Sequence, residues 1–557
     1  MPVDPAQPVA DDGVAPSPSR VAFDLRRLPW IRPLAADYMF DFDRVAPFFA
    51  GRPTDPAAWT AAIQRARQSA RHRGEVADLV RSQQERRGAP AAALDAAQRL
   101  GDPGTVAILT GQQAGLFGGP LFTLFKALTA IKLAEQVSHD HGVTAVAVFW
   151  ADGEDHDWNE VRSCTVLDEA LVPRAVSLPA RAAADHTPVA AVRLDASVER
   201  ALDELDGALP STEFKGPLLA DLREIYAPHR SMADAFCRWM ERVLGGRGLI
   251  VYDSSDPRTK PLVSSVFAHE LSRPGQTSAL ASRAGSELVA RGYHAQVQTP
   301  DSALALFHLD GERRPIRQVD GGFEIRGEPI AAAALARAAV ERPAVFSPNV
   351  LLRPIVQDTL FPTVCYVAGP NELGYLGQLA AVYDHFGVPM PLIYPRASAT
   401  IADAGGLRFL SRYAPPLEAL QRQDESGLND LLRSQIPGHV EEAFAGAAQA
   451  IDTRMAGLIE AIPALDPTLA GAAKTTLGRM RQEMDTLHGK MLQAAKRRDD
   501  TLRRQYNRTR AMIFPGGHAQ ERTIGFVSFL GRYGPALVDR LQQELPLVLG
   551  QHWVIAV

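Results

Sequence analysis

Apolar residues in this chain fall into two kinds of pattern. Short continuous runs occur at Val106–Leu109, Thr144–Trp150, Gly248–Tyr252 and Met390–Tyr394. Runs of this length, apolar at every position, read as strands buried on both faces. Segments with helical spacing lie between several of them, which predicts an α/β fold: a doubly wound, Rossmann-like parallel sheet. The spacing of the strands is uneven. About 100 residues separate Trp150 from Gly248, and nearly 140 separate Tyr252 from Met390. Plain crossovers are much shorter, so inserted subdomains are expected at about 160–245 and 265–345. Residues 292–330, with His294-Ala-Gln-Val-Gln, Leu304-Ala-Leu-Phe-His-Leu and Phe323-Glu-Ile, predict a small antiparallel β patch inside the second insertion. Residues 57–100 predict two helices rich in Ala, Arg and Gln.

The character changes near Pro415 to almost pure helix. Val440, Phe444, Ala447, Ile451, Met455, Leu458 and Ile462 recur every three or four residues. After the turn Pro463-Ala-Leu-Asp-Pro467 a second stripe follows: Leu477, Met480, Met484, Leu487, Met491 and Ala494. Two narrow stripes with charged flanks predict a long antiparallel helical hairpin with coiled-coil packing. One apolar seam on such a hairpin suits a homodimer. The expected plan is a lead-in at 1–27, the core at 28–414, the hairpin at 415–512 and a return to the core at 513–557. In the return, the tail Trp553-Val-Ile-Ala-Val adds an edge strand.

Composition narrows the class. A chain of 557 residues is too long for one core. A net charge of −5 gives no general attraction to nucleic acid or anionic membranes. The basic residues of Arg497–Arg510 have little aromatic interleaving, which also argues against nucleic acid. No apolar run approaches the ~20 residues that span a bilayer. Met1–Ser19 is rich in Pro, Ala and Asp without a basic start, so it reads as a disordered lead-in rather than a signal peptide. The three cysteines, Cys164, Cys237 and Cys365, form no CxxC. They point to a reducing, cytoplasmic setting, with each thiol serving as a small buried apolar group.

The candidate chemistry gathers at strand ends. Thr110-Gly-Gln-Gln-Ala-Gly-Leu-Phe-Gly-Gly-Pro-Leu-Phe-Thr-Leu-Phe-Lys126 follows the first strand and leads into a helix expected over about 120–135. Gly111, Gly115, Gly118 and Gly119 permit a tight turn, and amides at a helix start attract anions. Such turns also serve as plain connections, and neither GxGxxG nor a P-loop is present. Gln112 and Gln113 are poor turn residues and are better explained as hydrogen-bonding groups. The second strand ends in Ala151-Asp-Gly-Glu-Asp-His-Asp-Trp158. Asp152, Glu154 and Asp155 around His156, flanked by Trp158, could hold a proton donor, orient an amine, or bind a metal together with phosphates. The carboxylates are expected to raise the pKa of His156. Arg353, Gln357 and Asp358 interrupt an apolar stretch. Arg353 suits a carboxylate or phosphate, or a structural ion pair. Glu372 and Tyr375 open a helix after a further strand, Arg396 stands at another strand end, and His518 and Arg522 lie where the hairpin rejoins the core. No zinc-ligand spacing or GxSxG occurs, so no metal is expected.

Taken together, the motif from Thr110 to Lys126, Phe149-Trp-Ala-Asp-Gly-Glu-Asp-His-Asp-Trp158, Ser347-Pro-Asn-Val-Leu-Leu-Arg-Pro-Ile-Val-Gln-Asp358, Val367-Ala-Gly-Pro-Asn-Glu-Leu-Gly-Tyr375 and Phe514-Pro-Gly-Gly-His-Ala-Gln-Glu-Arg522 resemble the BshC family, the cysteine ligases of bacillithiol biosynthesis. The likeness runs from about Asp37 to the C-terminus. It implies a Rossmann-like core with inserted connecting subdomains and a dimerising coiled coil. It also implies addition of L-cysteine to glucosaminyl-malate through an amide bond. That chemistry requires an activated carboxyl, most simply through ATP. On this reading the glycine turn, with Gln112 and Gln113, holds anionic groups, Asp155 and His156 manage the amine proton, and Arg353 and Arg396 take the malate carboxylates. The glycine-lined and acid-lined strand ends, marked by Gly118 and His156, are expected to share one pocket. Two other classes compete. One is an ATP-dependent ligase or nucleotidyl-transferring enzyme for a different amino acid. The other is a coiled-coil scaffold whose core merely binds a nucleotide. An NAD-dependent oxidoreductase is weaker, because the dinucleotide fingerprint and its trailing acid are absent.

Overall fold

The computed structural model describes residues 19–557 except 70, 183–184, 299–302, 436–437 and 499, so most of the expected lead-in lies outside the described residues. The chain forms two compact units. One comprises residues 19–401 with 519–555 and 557, and the other residues 402–518 with 556.

The first unit is built on five parallel strands. These are β1 (Val106–Gln113), β2 (Ala145–Asp152), β3 (Ile250–Asp253), β4 (Thr363–Ala368) and β5 (Leu392–Pro395). Their order is β5-β4-β1-β2-β3. The strands are apolar on both faces because helices cover both. On one face Ala107, Leu109, Val148 and Tyr252 share a core with Val76 and Val80 of α1 (Arg73–Arg87) and Ala97 and Leu100 of α2 (Ala91–Leu100). The other face carries α3 (Leu121–His141) and α4 (Met232–Leu244), where the Phe149 and Phe236 rings pack 5.9 Å apart. Helix α3 ends at Gly142, which takes the left-handed conformation that glycine adopts readily at a helix end. The chain steps outward from β1 through β2 to β3, then crosses back to β4 and β5. The reversal falls between β1 and β4, where doubly wound sheets open a crevice at the strands' carboxyl ends.

Both long intervals hold structure of their own. Between β2 and β3 lie a hairpin (Ser163–Leu167 with Pro173–Ser177), two helices (Ser197–Ala208 and Lys215–Ile225) and α4. Between β3 and β4 lie the helices Ser264–Ser272 and Gln276–Ala290 and a five-stranded antiparallel sheet that starts at Ala303. The predicted strand around His294 is irregular backbone. The Gln378 side chain accepts from the Gln296 and Val297 amides at 3.0 and 2.9 Å, so they have no strand partner. Residues 57–100 form three helices rather than two, because Gly88 and Pro90 break the second from the third. The C-terminal strand Gln551–Ala556 is central rather than an edge. It lies between Arg20–Asp24 and Ser398–Ala402 in a separate three-stranded sheet.

In the second unit, Gly438–Ala461 and Leu469–Arg498 form the long antiparallel pair. His488 bonds Glu441 at 3.2 Å and Arg481 bonds Asp452 at 2.8 Å, which fixes the direction. Met455 is buried in the seam, while Leu458, Leu465, Leu469, Met480 and Leu487 remain exposed. All three cysteines are buried, and among the described residues no helix is long and apolar enough to cross a membrane.

Candidate active site

A cavity of about 650 Å³ opens at the carboxyl ends of β1, β2 and β4, at the strand-order reversal. The last three residues of β1 (Gly111, Gln112, Gln113) and the last of β2 (Asp152) form its floor. Gly369, Asn371, Glu372 and Tyr375 follow β4, and Arg353 opens the helix Arg353–Leu360. Lys126 rises from α3, and Phe307 and Arg313 reach in from the antiparallel sheet. Gly111 is required sterically, since a Cβ there would stand 2.8 Å from the Trp150 carbonyl oxygen on the neighbouring strand.

One side of the cavity is cationic. Lys126 is 2% exposed, and its Nζ donates to the Gly111 carbonyl at 2.8 Å and to Gln112 Oε1 at 3.2 Å. It also pairs with Glu372 at 2.5 Å. Burial lowers its pKa, and Glu372 only partly opposes that. Burial would raise Glu372, but the Lys126 charge and the Gly369 amide at 2.6 Å hold it below the usual range. The Arg353 guanidinium donates to Gln357 Oε1 at 3.1 Å and Tyr375 Oη at 3.3 Å, and it lies over the rings of Trp150 and Tyr366. It bonds no carboxylate within the described residues, so its charge is available to a ligand.

A second group of residues in the same cavity is acidic. Burial and the Asp155 charge push Asp152 up to about 6, against the pull of Arg353 and Arg313. Burial also raises Asp155, but the Gln113 amide at 2.8 Å and the Arg313 charge outweigh it, leaving Asp155 low. Gln113 donates as well to Glu160 Oε2 at 2.8 Å. The two neighbouring carboxyls are thus driven apart, with Asp155 held low and Asp152 raised to about 6, the pattern that lets one carboxyl stay ionised while the other exchanges a proton.

Several residues singled out in the sequence lie elsewhere. Gly115, Gly118 and Gly119 do not line the cavity. A Cβ at Gly118 would stand 2.3 Å from the Phe526 ring. The Leu121 amide, at the start of α3, donates to the Ile524 carbonyl at 2.8 Å, and the Phe526 amide donates to Gly119 at 3.3 Å. The chain's own C-terminal segment thus fills the place where this fold ordinarily takes phosphate, and the turn does not fit a nucleotide phosphate. His156 faces a separate hollow, its ring 5.1 Å from that of His186. Its pKa falls rather than rises, because burial and then the Arg313 charge outweigh Asp155. Gly118 and His156 therefore share no pocket. It is the Gly111–Gln113 end of the motif that meets the acids. Trp158 borders the same hollow as His156 and donates to the Pro179 carbonyl at 2.8 Å. Glu154 is buried in an ion pair with Lys260 and accepts from Ser347 Oγ at 2.8 Å. Gln357 lies behind Arg353 and donates to Asp358 at 2.9 Å. Arg396 lines the cavity, yet both its terminal nitrogens bond Glu521 at 2.8 Å in a pair that is 2% exposed on each side. His518 is exposed and belongs to the other unit.

Lys126, Arg313 and Tyr366 are cavity residues that the sequence did not single out. Lys126 left a signal, a lone cation inside the apolar helix Phe122-Thr-Leu-Phe-Lys-Ala-Leu128. Arg313 left none, being one of several charges in Glu312-Arg-Arg.

This combination defines a class: a Rossmann-type α/β domain with a charged cavity at its strand-order reversal, joined to a helical-hairpin domain. Residues 23–397 match the N-terminal Rossmann-like domain of bacillithiol biosynthesis BshC, and residues 399–557 match its C-terminal coiled-coil domain. The chain is 34% identical to "Putative cysteine ligase BshC" of Salinibacter ruber, covering 94% of this chain and 96% of that protein. It is 35% identical to the protein of the same name from Symbiobacterium thermophilum, covering 92% and 96%. The chain belongs to the BshC family of bacillithiol biosynthesis.

Proposed function

We propose that the protein catalyses the last step of bacillithiol assembly, joining the carboxyl of L-cysteine to the amine of glucosaminyl-malate. The observation that carries this reading is that available positive and negative side chains line one cavity. Glucosaminyl-malate is anionic at its malate end and cationic at its amine. Arg353, beside Lys126, suits the malate carboxylates. Asp155 suits the ammonium, with Gln112 and Gln113 orienting the substrate between them. The amine must lose a proton before nitrogen attacks. Asp152, titrating at about 6, is placed to take it. The C–N bond then forms as the group activating the cysteine carboxyl departs. Arg396, held by Glu521, shapes the wall and contributes field rather than a free fork.

Activation by ATP is compatible with this reading, but the glycine turn is not offered as its phosphate site. The exposed apolar side chains of the long hairpin support a homodimer formed through that element. The setting we propose is cytoplasmic. The test is incubation of the purified protein with L-cysteine, glucosaminyl-malate and ATP, with product detection by mass. The expected result is bacillithiol. Amide formation with a different amino acid only, or none with any, contradicts the proposal.

A further inference from the structure

The antiparallel sheet inserted between β3 and β4 sends one side chain into the cavity with unusual support. Arg313 Nε donates to Ser347 Oγ at 3.0 Å and Nη2 donates to the Pro348 carbonyl at 2.5 Å. The guanidinium carbon lies over Phe307, 4.1 Å from the ring centre. Two hydrogen bonds and the ring beneath leave the fork little freedom. The remaining nitrogen, Nη1, stands 3.7 Å from Asp155 Oδ1 and 3.5 Å from His156 Nδ1. Ser347 in turn is tied to Glu154, and Glu154 to Lys260, so the cation rests on a buried polar network.

We propose that Arg313 is a positioning residue that keeps the Asp155 carboxylate charged and aimed at the cavity, and thereby leaves Asp152 as the acid that exchanges the substrate proton. This rests on the reaction proposed above. Charged and titratable groups surround the pair, among them Glu160, which shares the Gln113 amide with Asp155 and is itself raised by burial and by the Asp155 charge. Asp152 feels Asp155, Arg353, Arg313 and Glu154. Asp155 feels Gln113, Arg313 and His156, and the latter feels His186 and Asp157 as well. Arg353 is the other cation acting on Asp152, but it serves the cationic side of the cavity. Arg313 acts on both acids at once, and the position of the inserted sheet therefore sets the protonation of the floor of the core. Loss of the Arg313 charge removes a pull that lowers both acids, the raised Asp152 as well as the low Asp155, so both titrate at higher pH.

The experiment compares the parent with Arg313→Gln and Arg313→Lys in the full-length protein. In Arg313→Gln the acid limb of the kcat/KM profile for amide formation moves up by about one pH unit, the scale of one neighbouring charge. Arg313→Lys keeps it within a few tenths of a unit of the parent. Denaturant unfolding between pH 5 and pH 8 reads the same charge without any reliance on turnover. Asp152, whose folded pKa is raised, costs stability as pH rises, and losing the Arg313 charge enlarges that cost. In a His156→Asn background, which removes the imidazole that Arg313 also lowers, Arg313→Gln therefore falls progressively behind its parent across that window. A merely structural hydrogen bond costs the same at every pH. If Arg313→Gln does not fold, Phe307→Leu keeps the cation and its hydrogen bonds but removes the ring beneath it, and gives a smaller shift in the same direction. An acid limb that stays in place in a folded variant, or a stability gap independent of pH, overturns the proposal. Absence of amide formation by the parent sinks only the functional reading, because the unfolding comparison still decides the role of Arg313.

Discussion

The two halves of the glycine motif do opposite things with the same residue type. At Gly111 the missing side chain lets β1 run close beside Trp150 and deliver Gln112 and Gln113 to the cavity floor. Four residues on, Gly115–Gly119 gives its space to the chain itself: Phe526 fills the turn and Ile524 caps the helix start. Glycine therefore marks a close approach here without saying what approaches. The first half serves a ligand cavity and the second serves the core. Substitutions of polar side chains on the cavity floor, such as Gln112, Gln113 and Asp152, should change chemistry without costing stability. Substitutions in the filled turn should do the reverse.

The largest effect that separates the two is expected at Asp152. Asp152→Asn removes the proton acceptor, and kcat/KM for amide formation should fall about a thousandfold, about 4 kcal/mol of barrier. A fall of less than tenfold would transfer the base role elsewhere. Next in size is Gly118→Ala in the filled turn. Its Cβ meets Phe526, and φ is +95°, so a side chain is strained there whatever the space. Unfolding free energy should drop by about 2–3 kcal/mol, with the KM of the folded fraction unchanged. An unaltered midpoint would mean that the turn is open.

A smaller effect sharpens the contrast because its sign is unusual. Asp152 is harder to ionise in the folded state than in the unfolded chain, so its charge opposes folding. That cost is absent below the ordinary aspartate range near pH 4, grows up to about pH 6 and is complete above it. Asp152→Asn should therefore match the parent at pH 4 and exceed it by about 1–2 kcal/mol at pH 8 in denaturant unfolding. Equal stability at both pH values would show that Asp152 is ordinary. The smallest effect is expected at His156, which faces the hollow shared with His186. His156→Asn should change kcat/KM less than fivefold, and a loss of a hundredfold would bring it back into the chemistry.

Four strands of the parallel sheet were legible because each carries a continuous apolar run, while Thr363–Ala368 was signalled only as the strand before Glu372, and the helical hairpin was legible because its stripes keep strict spacing. The irregular segment near His294 was not, since a distant side chain, Gln378, takes its amides. The same limit governs the site. Strand ends announced Asp152 and Glu372 as chemistry-bearing positions, and an interrupted apolar stretch announced Arg353. What each charge does depends on a partner far away in sequence. Arg396 bonds Glu521, Glu154 pairs with Lys260, and Asp155 answers to Arg313. Local pattern carries no record of such pairings. The acid-rich loop suggested a histidine made more basic, yet burial and an arginine from an inserted sheet move it the other way.

The most direct measurement is a crystal structure with glucosaminyl-malate bound. The account predicts malate carboxylates on the Arg353 and Lys126 side, with the sugar nitrogen about 3 Å from the Asp152 carboxyl. A substrate seated with its carboxylates on the main-chain amides of Gly115–Gly119, and Phe526 displaced, would contradict it.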